Sequence, residues 1–204
     1  MKMNRLIVAG IVASLVLAAA SANADSLRLG DKVPMTDVKM KNVDGKDVSI
    51  ADVAGKNGTL VVFSCNHCPF AKSWESRMVE IGNACLKQGV GAIAINSNDP
   101  SAYKEDAFDI MQQHAKEKGY QFPYVVDATS DVARAFGATR TPEVFLFDKN
   151  GKLVYHGAID DDSDAKKVTK NFLRDALDAL ASGKAIPVSE TKFIGCSIKY
   201  RPKA

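Results

Sequence analysis

The chain has 204 residues, with 27 Lys and Arg against 24 Asp and Glu and a formal net charge of +3. Lys2 and Arg5 are the only charges among the first 24 residues, so the remainder carries +1, with no basic run to attract nucleic acid. Four cysteines are too few for a disulfide-stapled scaffold, and a chain of this length buries a core without staples.

Lys2 and Arg5, an apolar stretch over residues 6–20 and then Ala22-Asn23-Ala24 read as a secretory leader cleaved after residue 24. The stretch falls short of the ~20 residues a spanning helix needs, and no cysteine stands at the cleavage site to take a lipid. No second apolar run of that length follows. The mature chain, 25–204, is therefore expected to be one exported domain free of the membrane, periplasmic in a bacterial host.

Residues 38–43 and 48–50 alternate around Asp44-Gly45 as a hairpin. Residues 60–63 form a continuous apolar run, the mark of a strand buried on both faces, and lead straight into Cys65-Asn66-His67-Cys68-Pro69. A helical period follows, with Phe70, Trp74, Met78, Ile81, Cys85 and Leu86 on one face and Lys72, Glu75, Arg77 and Glu80 away from it. Residues 90–95 read as a second buried strand, 101–118 as a polar helix and 124–126 as a strand. Ser130 is placed to cap a short helix, 131–136, closed by Gly137. A strand over 144–147 turns at Asn150-Gly151 into another over 153–158, and a last helix is expected over about 165–181. The tail from about residue 183 reads as irregular. This order predicts an α/β sandwich with parallel central strands and antiparallel edges.

A C-x-x-C between a buried strand and an amphipathic helix is a redox arrangement, because a helix N-terminus favours thiolate over thiol. Cys65 is expected as the attacking thiolate, nearer the helix start and more exposed. Cys68 is expected half a turn inside as the resolving thiol. His67 would add positive charge beside Cys65 when protonated, and Pro69 fits the first helical turn. A structural disulfide and half of a zinc site are the competing readings of the pair. The second ligand pair that zinc requires is absent from the sequence.

Residues 62–69, Thr141-Pro142 and the element order resemble the thioredoxin superfamily. The inserted segment 101–118, Asn96-Ser97-Asn98-Asp99 and the ending Ile194-Gly195-Cys196-Ser197-Ile198-Lys199 are closer to the peroxiredoxin-like redoxin-domain proteins of the AhpC/TSA group. The resemblance spans about residues 30–200. It implies a thioredoxin-like three-layer sandwich, a mixed central sheet flanked by helices, with an N-terminal hairpin and an inserted helix. It also implies that Pro142 is a cis-proline facing the dithiol and that Thr141 pairs with a substrate chain. Peroxiredoxins carry Thr or Ser three residues before the peroxide-attacking cysteine. Here Val62 and Cys65 hold those places, and Arg140 is the candidate for their arginine, at a spacing to the next strand that does not match.

Cys85 lies on the apolar helix face and reads as core. Cys196 has three open roles: resolving cysteine for Cys65 or Cys68, structural bridge to Cys85, or free thiol. A copper chaperone of Sco type would use Cys65, Cys68 and His156, although His156 reads more simply as a surface strand residue and His114 as solvated. Asp160 to Asp164 reads as an acidic cap on the last helix. Asn96 to Asp99 ends a strand at the sheet edge where α/β folds bind ligands, as a contact near the dithiol or a plain turn. The sequence thus predicts thiol–disulfide exchange without metal or organic cofactor, acting on protein or small-molecule disulfides and thiols and served by a redox recycling partner. Thiol peroxidase and copper(I) chaperone are the alternatives.

Overall fold

The computed structural model describes residues 26–203, and the expected leader over residues 1–24 lies outside them. The hairpin forms between β1 (Met40–Asn42) and β2 (Asp47–Val48), turning at Gly45 with a φ of 87°, which a residue without Cβ adopts readily. The apolar runs become β3 (Gly58–Phe63) and β4 (Val90–Asn96), both buried along their whole length. β5 (Tyr124–Val126) pairs parallel to β4 and antiparallel to β1. On the other side, β7 (Glu143–Asp148) pairs antiparallel with both β3 and β8 (Leu153–Gly157). β3 and β4 lie side by side, with Ser64 N–H donating to Ile95 O at 3.0 Å, so the strands run β2-β1-β5-β4-β3-β7-β8 in one mixed sheet. A separate ribbon pairs β6 (Arg140–Thr141) with β9 (Cys196–Ser197).

The period-two alternation of β3 divides the core. Leu60 and Val62 face helices α1 (Pro69–Lys87), α2 (Phe108–Lys118) and α4 (Phe172–Ala181). Val61 and Phe63 face α3 (Asp131–Phe136), Ile50 and the tail residue Ile198. Each fully buried side chain of this kind contributes about 1.5–3 kcal/mol, so the two faces hold the three layers together. No helix among the described residues is long and apolar enough to cross a membrane.

Several boundaries move, each for a tertiary reason. Trp74, Met78, Ile81 and Cys85 are buried as predicted, but Phe70 and Leu86 at the two ends of α1 are exposed. Glu75 is buried instead, paired with His114 and with Lys118 at 3.2 Å, so His114 is not solvated. The polar helix begins at Phe108 and not at Ser101. Ser101 N–H is held by Asp99 in a turn, a single 3-10 turn covers Lys104–Asp106, and Ala107 is extended with ψ 148°. Ser130 occupies the N-cap position with φ 58°, yet its hydroxyl donates to Ser97 O, and Asp127 accepts from Ala133 N–H in its stead. The last helix starts at Phe172, because Asp161 holds Thr169 and Lys170 and closes the preceding loop on itself. Asp160 is not an acidic cap. It is buried and accepts from Trp74 Nε1 at 2.5 Å and meets Arg77 Nε at 2.7 Å. The tail is pinned along its course, with Lys199 N–H on Asn98, Arg201 N–H on Ser130 and β9 on β6.

Candidate active site

Pro69 is the first residue of α1, where its missing N–H removes nothing from the helix. A residue before proline is pushed to extended backbone, and Cys68 obeys with φ −65° and ψ 124°. Cys68 is therefore the helix N-cap and Cys65 lies three residues ahead of it, which reverses the expectation that Cys65 stands nearer the helix. Both residues are buried, Cys65 at 4 % exposure and Cys68 at 0 %.

Thr141 touches both sulfurs. Its Oγ1 is 3.1 Å from Cys65 Sγ, and its carbonyl oxygen is 3.2 Å from Cys68 Sγ, to which the thiol donates. A hydrogen bond shared between the two sulfurs separates their acidities. It draws Cys68 below the usual thiol value, aided by Cys196 and the Ala71 amide and opposed by burial. The same bond, burial and the Asp106 carboxylate push Cys65 up. The reduced pair thus holds one proton in common. With the proton on Cys68, Cys65 is the thiolate accepting from Thr141 Oγ1; with it on Cys65, the thiolate sits at the helix start.

His67 lies in this turn, but its charge does not act alone. Its Nδ1 is 2.6 Å from Asp106 Oδ2, and its ring stacks on Tyr103 at 3.7 Å between centroids. Asp106, 2 % exposed, also accepts from Asn66 N–H at 2.7 Å, Asn98 Nδ2 at 2.9 Å and Asn96 Nδ2 at 3.2 Å. Tyr124 Oη donates to Asn66 Oδ1, and Asn66 Nδ2 donates to Glu105 O. The carboxylate therefore fixes the whole Cys65–Cys68 turn and sets a negative charge against the His67 ring. Asn96 and Asn98 reach the dithiol through it, so the strand end is a site element rather than a plain turn. Asp106 and Tyr103 carried no signal in the sequence, because the inserted segment read as one solvated helix, and Tyr124 read only as a strand residue.

The Thr141–Pro142 peptide is cis. Glu143, 1 % exposed, shapes the loop before it by accepting from the Thr139 and Arg140 amides at 2.8 and 3.0 Å. Its other oxygen is 2.9 Å from His156 Nε2, and the His156 ring stacks on Phe145. His156 is thus a half-buried supporting residue, neither on the surface nor gathered with the cysteines as a copper site requires. Among the described residues, the donor atoms that do gather are those of Cys65, His67 and Asp106, all within 4.8 Å of one another. Pro142 also lines an apolar hollow of ≈ 270 Å³ with Trp74, Ile159, Phe172, Phe193 and Ile194.

Cys196 packs against Cys65, Cys68 and Ala71. Cys85 lies in the other cluster, fully buried, its thiol pushed up to about 12 by desolvation. Cys68 and Cys85 are separated by about 25 Å of helix at 1.5 Å per residue, so Cys196 beside Cys68 is out of reach of Cys85. The bridge between them is excluded, and all four cysteines are free here. Arg140 donates to Gly195 O at 2.9 Å and so holds the tail.

Residues 29–156 match the model of the AhpC/TSA family. The thiol-disulfide oxidoreductase ResA of Geobacillus thermodenitrificans is 28 % identical over 160 residues, covering 74 % of this chain and 86 % of that protein. The crystal structure of an uncharacterised conserved protein from Geobacillus kaustophilus superposes with a TM-score of 0.81 at 41 % identity, covering 87 % of this chain and 94 % of the other. A thioredoxin-like protein solved in its oxidised form shares the fold at a TM-score of 0.63 and 18 % identity, covering 78 % of this chain and 99 % of the other.

Proposed function

From the membership of this chain in the AhpC/TSA family, we propose that Cys65 and Cys68 carry out thiol–disulfide exchange in an exported protein. The fold is thioredoxin-like and the protein is a thiol–disulfide oxidoreductase. One observation carries the assignment to these residues: two sulfurs at a helix start, both in contact with the residue before a cis-proline.

Cys65, whose Sγ lies 3.1 Å from Thr141 Oγ1, attacks one sulfur of a substrate disulfide as thiolate. The substrate S–S bond breaks, one substrate thiolate leaves, and a mixed disulfide forms on Cys65. Cys68 passes its proton to solvent or to the departing thiolate and attacks Cys65, releasing the second substrate thiolate and leaving Cys65–Cys68 oxidised. Run backwards, the same steps oxidise a substrate dithiol, and the direction follows from the reduction potentials of the partners. The hollow beside Pro142 suits an apolar side chain of a substrate. Substrates are protein or small-molecule disulfides and thiols, and a separate redox partner restores the pair. Residues 1–24 act as the leader and 25–204 as one redox domain, delivered to the periplasm in a bacterial host.

The test is thiol mapping by mass spectrometry before and after challenge with a protein disulfide, together with turnover of that disulfide by C65S and C68S. Wild type is expected to gain a Cys65–Cys68 disulfide, and each variant to lose turnover. A Cys65–Cys68 pair that never changes redox state removes this function. Peroxide consumption with sulfenic acid on either cysteine, and no exchange, would place the protein with the peroxidases instead.

A further inference from the structure

The edge that receives a substrate strand in the proposed reaction is already occupied. β9 pairs antiparallel with β6, Thr141 opposite Cys196 and Arg140 opposite Ser197. The register sets a cysteine of the chain itself beside the dithiol. The docking is built rather than incidental. Arg140 Nη1 donates to Gly195 O, Ile198 N–H donates to Thr139 O at 2.9 Å, and Lys199 N–H donates to Asn98 Oδ1 at 2.7 Å. Gly195 lies so close to Thr141 that a Cβ there would stand 2.3 Å from its carbonyl oxygen. Ile198 anchors the strand in the second core.

The three sulfurs are ordered from inside outward. Cys68 is fully enclosed and belongs to one cluster with Cys65, against which Cys196 packs. Cys196 is half-buried and borders an open groove of ≈ 480 Å³ with His67, Tyr103, Glu105 and Lys199. A reductant approaching from solvent meets Cys196 before it meets Cys68.

We propose that Cys196 is a third redox residue, carried by the tail as an internal substrate strand, which takes the disulfide from Cys65–Cys68 and presents it to the recycling thiol in the groove. The proposal rests on the exchange function of Cys65 and Cys68. In the relay, the Cys196 thiolate attacks Cys68. The Cys65–Cys68 bond breaks, the Cys68–Cys196 bond forms, and Cys65 leaves as a thiolate and takes up the proton released from Cys196. An external thiolate then attacks Cys196, the Cys68–Cys196 bond breaks, and Cys68 leaves as thiolate. A second thiol of the reductant releases Cys196. Each step is exchange between one thiolate and one disulfide, and the electrons come from the external thiol.

The experiment treats reduced full-length C65S with oxidised glutathione, blocks free thiols with N-ethylmaleimide and maps peptides without reduction. The expected product is a peptide pair joined through Cys68 and Cys196, with no glutathione retained. In C65S/C196S the glutathione should stay on Cys68, because the internal acceptor is gone. C65A and C65A/C196S repeat the comparison in case serine disturbs the turn. A single variant that keeps glutathione on Cys68 beside an alkylated Cys196, or that forms no Cys68–Cys196 link at all, overturns the relay. The same oxidation of wild type separates the two claims. If wild type forms Cys65–Cys68 while the variants never form Cys68–Cys196, the exchange function stands and the relay falls. If wild type forms no disulfide through Cys65, both fall.

Discussion

Asp106→Asn tests the carboxylate that organises the cysteine turn. Asp106 meets four groups, the Asn66 amide, His67 Nδ1 and the side-chain amides of Asn96 and Asn98, and is shut away from water. Hydrogen bonds to a charged acceptor contribute about 1.5–3 kcal/mol each. Asparagine keeps one acceptor oxygen and turns a donor toward the other donors, so the loss should be about 3–5 kcal/mol out of a typical total of about 5–15. The same change removes a negative charge within 4.8 Å of Cys65 Sγ. At an effective dielectric of about 20, unit charges at that separation interact by about 3.5 kcal/mol, or about 2.5 pH units. The Asp106 carboxylate is one of the groups that push Cys65 up, so the titration of the thiol pair is expected to move down when its charge is removed. Urea unfolding at pH 7 reads the first effect. The pH profile of iodoacetamide alkylation of the reduced protein reads the second, with circular dichroism confirming the folded fraction. A D106N protein with an unchanged urea midpoint and an unchanged alkylation profile would refute the role given to this carboxylate.

Gly195→Ala should lift β9 off β6, because the added Cβ would meet the Thr141 carbonyl at 2.3 Å. Faster alkylation of Cys196 and Cys65 than in wild type is the expected result, and unchanged rates would mean that the tail yields without leaving its edge. His114→Ala strips one partner from buried Glu75, at an expected cost of about 2 kcal/mol at pH 7 by thermal or urea unfolding. Burial pushes Glu75 up, yet His114 and Lys118 together hold it below its ordinary value of 4.5. A lowered folded-state value means that the pair's contribution is complete above about pH 4.5 and is lost as pH falls through the folded-state value. Wild type should therefore lose stability on the acid side more steeply than H114A. Cys85, enclosed and with its thiol raised to about 12, should remain unlabelled by N-ethylmaleimide at pH 8 while the protein is folded, and should label only in denaturant.

The elements whose pattern is local were legible in the sequence. The continuous apolar runs named β3 and β4, since a strand buried on both faces has no polar alternation to hide it. The C-x-x-C between strand and helix located the two sulfurs that meet Thr141, because its spacing and flanking periods place such a pair at a helix start. The hairpin turns at Gly45 and Gly151 and the helix stop at Gly137 followed from backbone freedom at glycine. What no window of sequence holds is the partner of a polar residue brought in from far along the chain. Asp106 joins Asn66 and His67 from 40 and 39 residues away, and so an apparently solvated helix became the floor of the site. Asp160 abandoned its capping place because Trp74 and Arg77 draw it into the core. Cys196 read as an isolated thiol with three open roles until strand pairing with Thr141 put it beside Cys68. Composition and periodicity report how a segment divides between water and core. Which buried carboxylate meets which amide, and which of two cysteines the tail sulfur reaches, depends on packing across the sheet, and only the tertiary structure decides that.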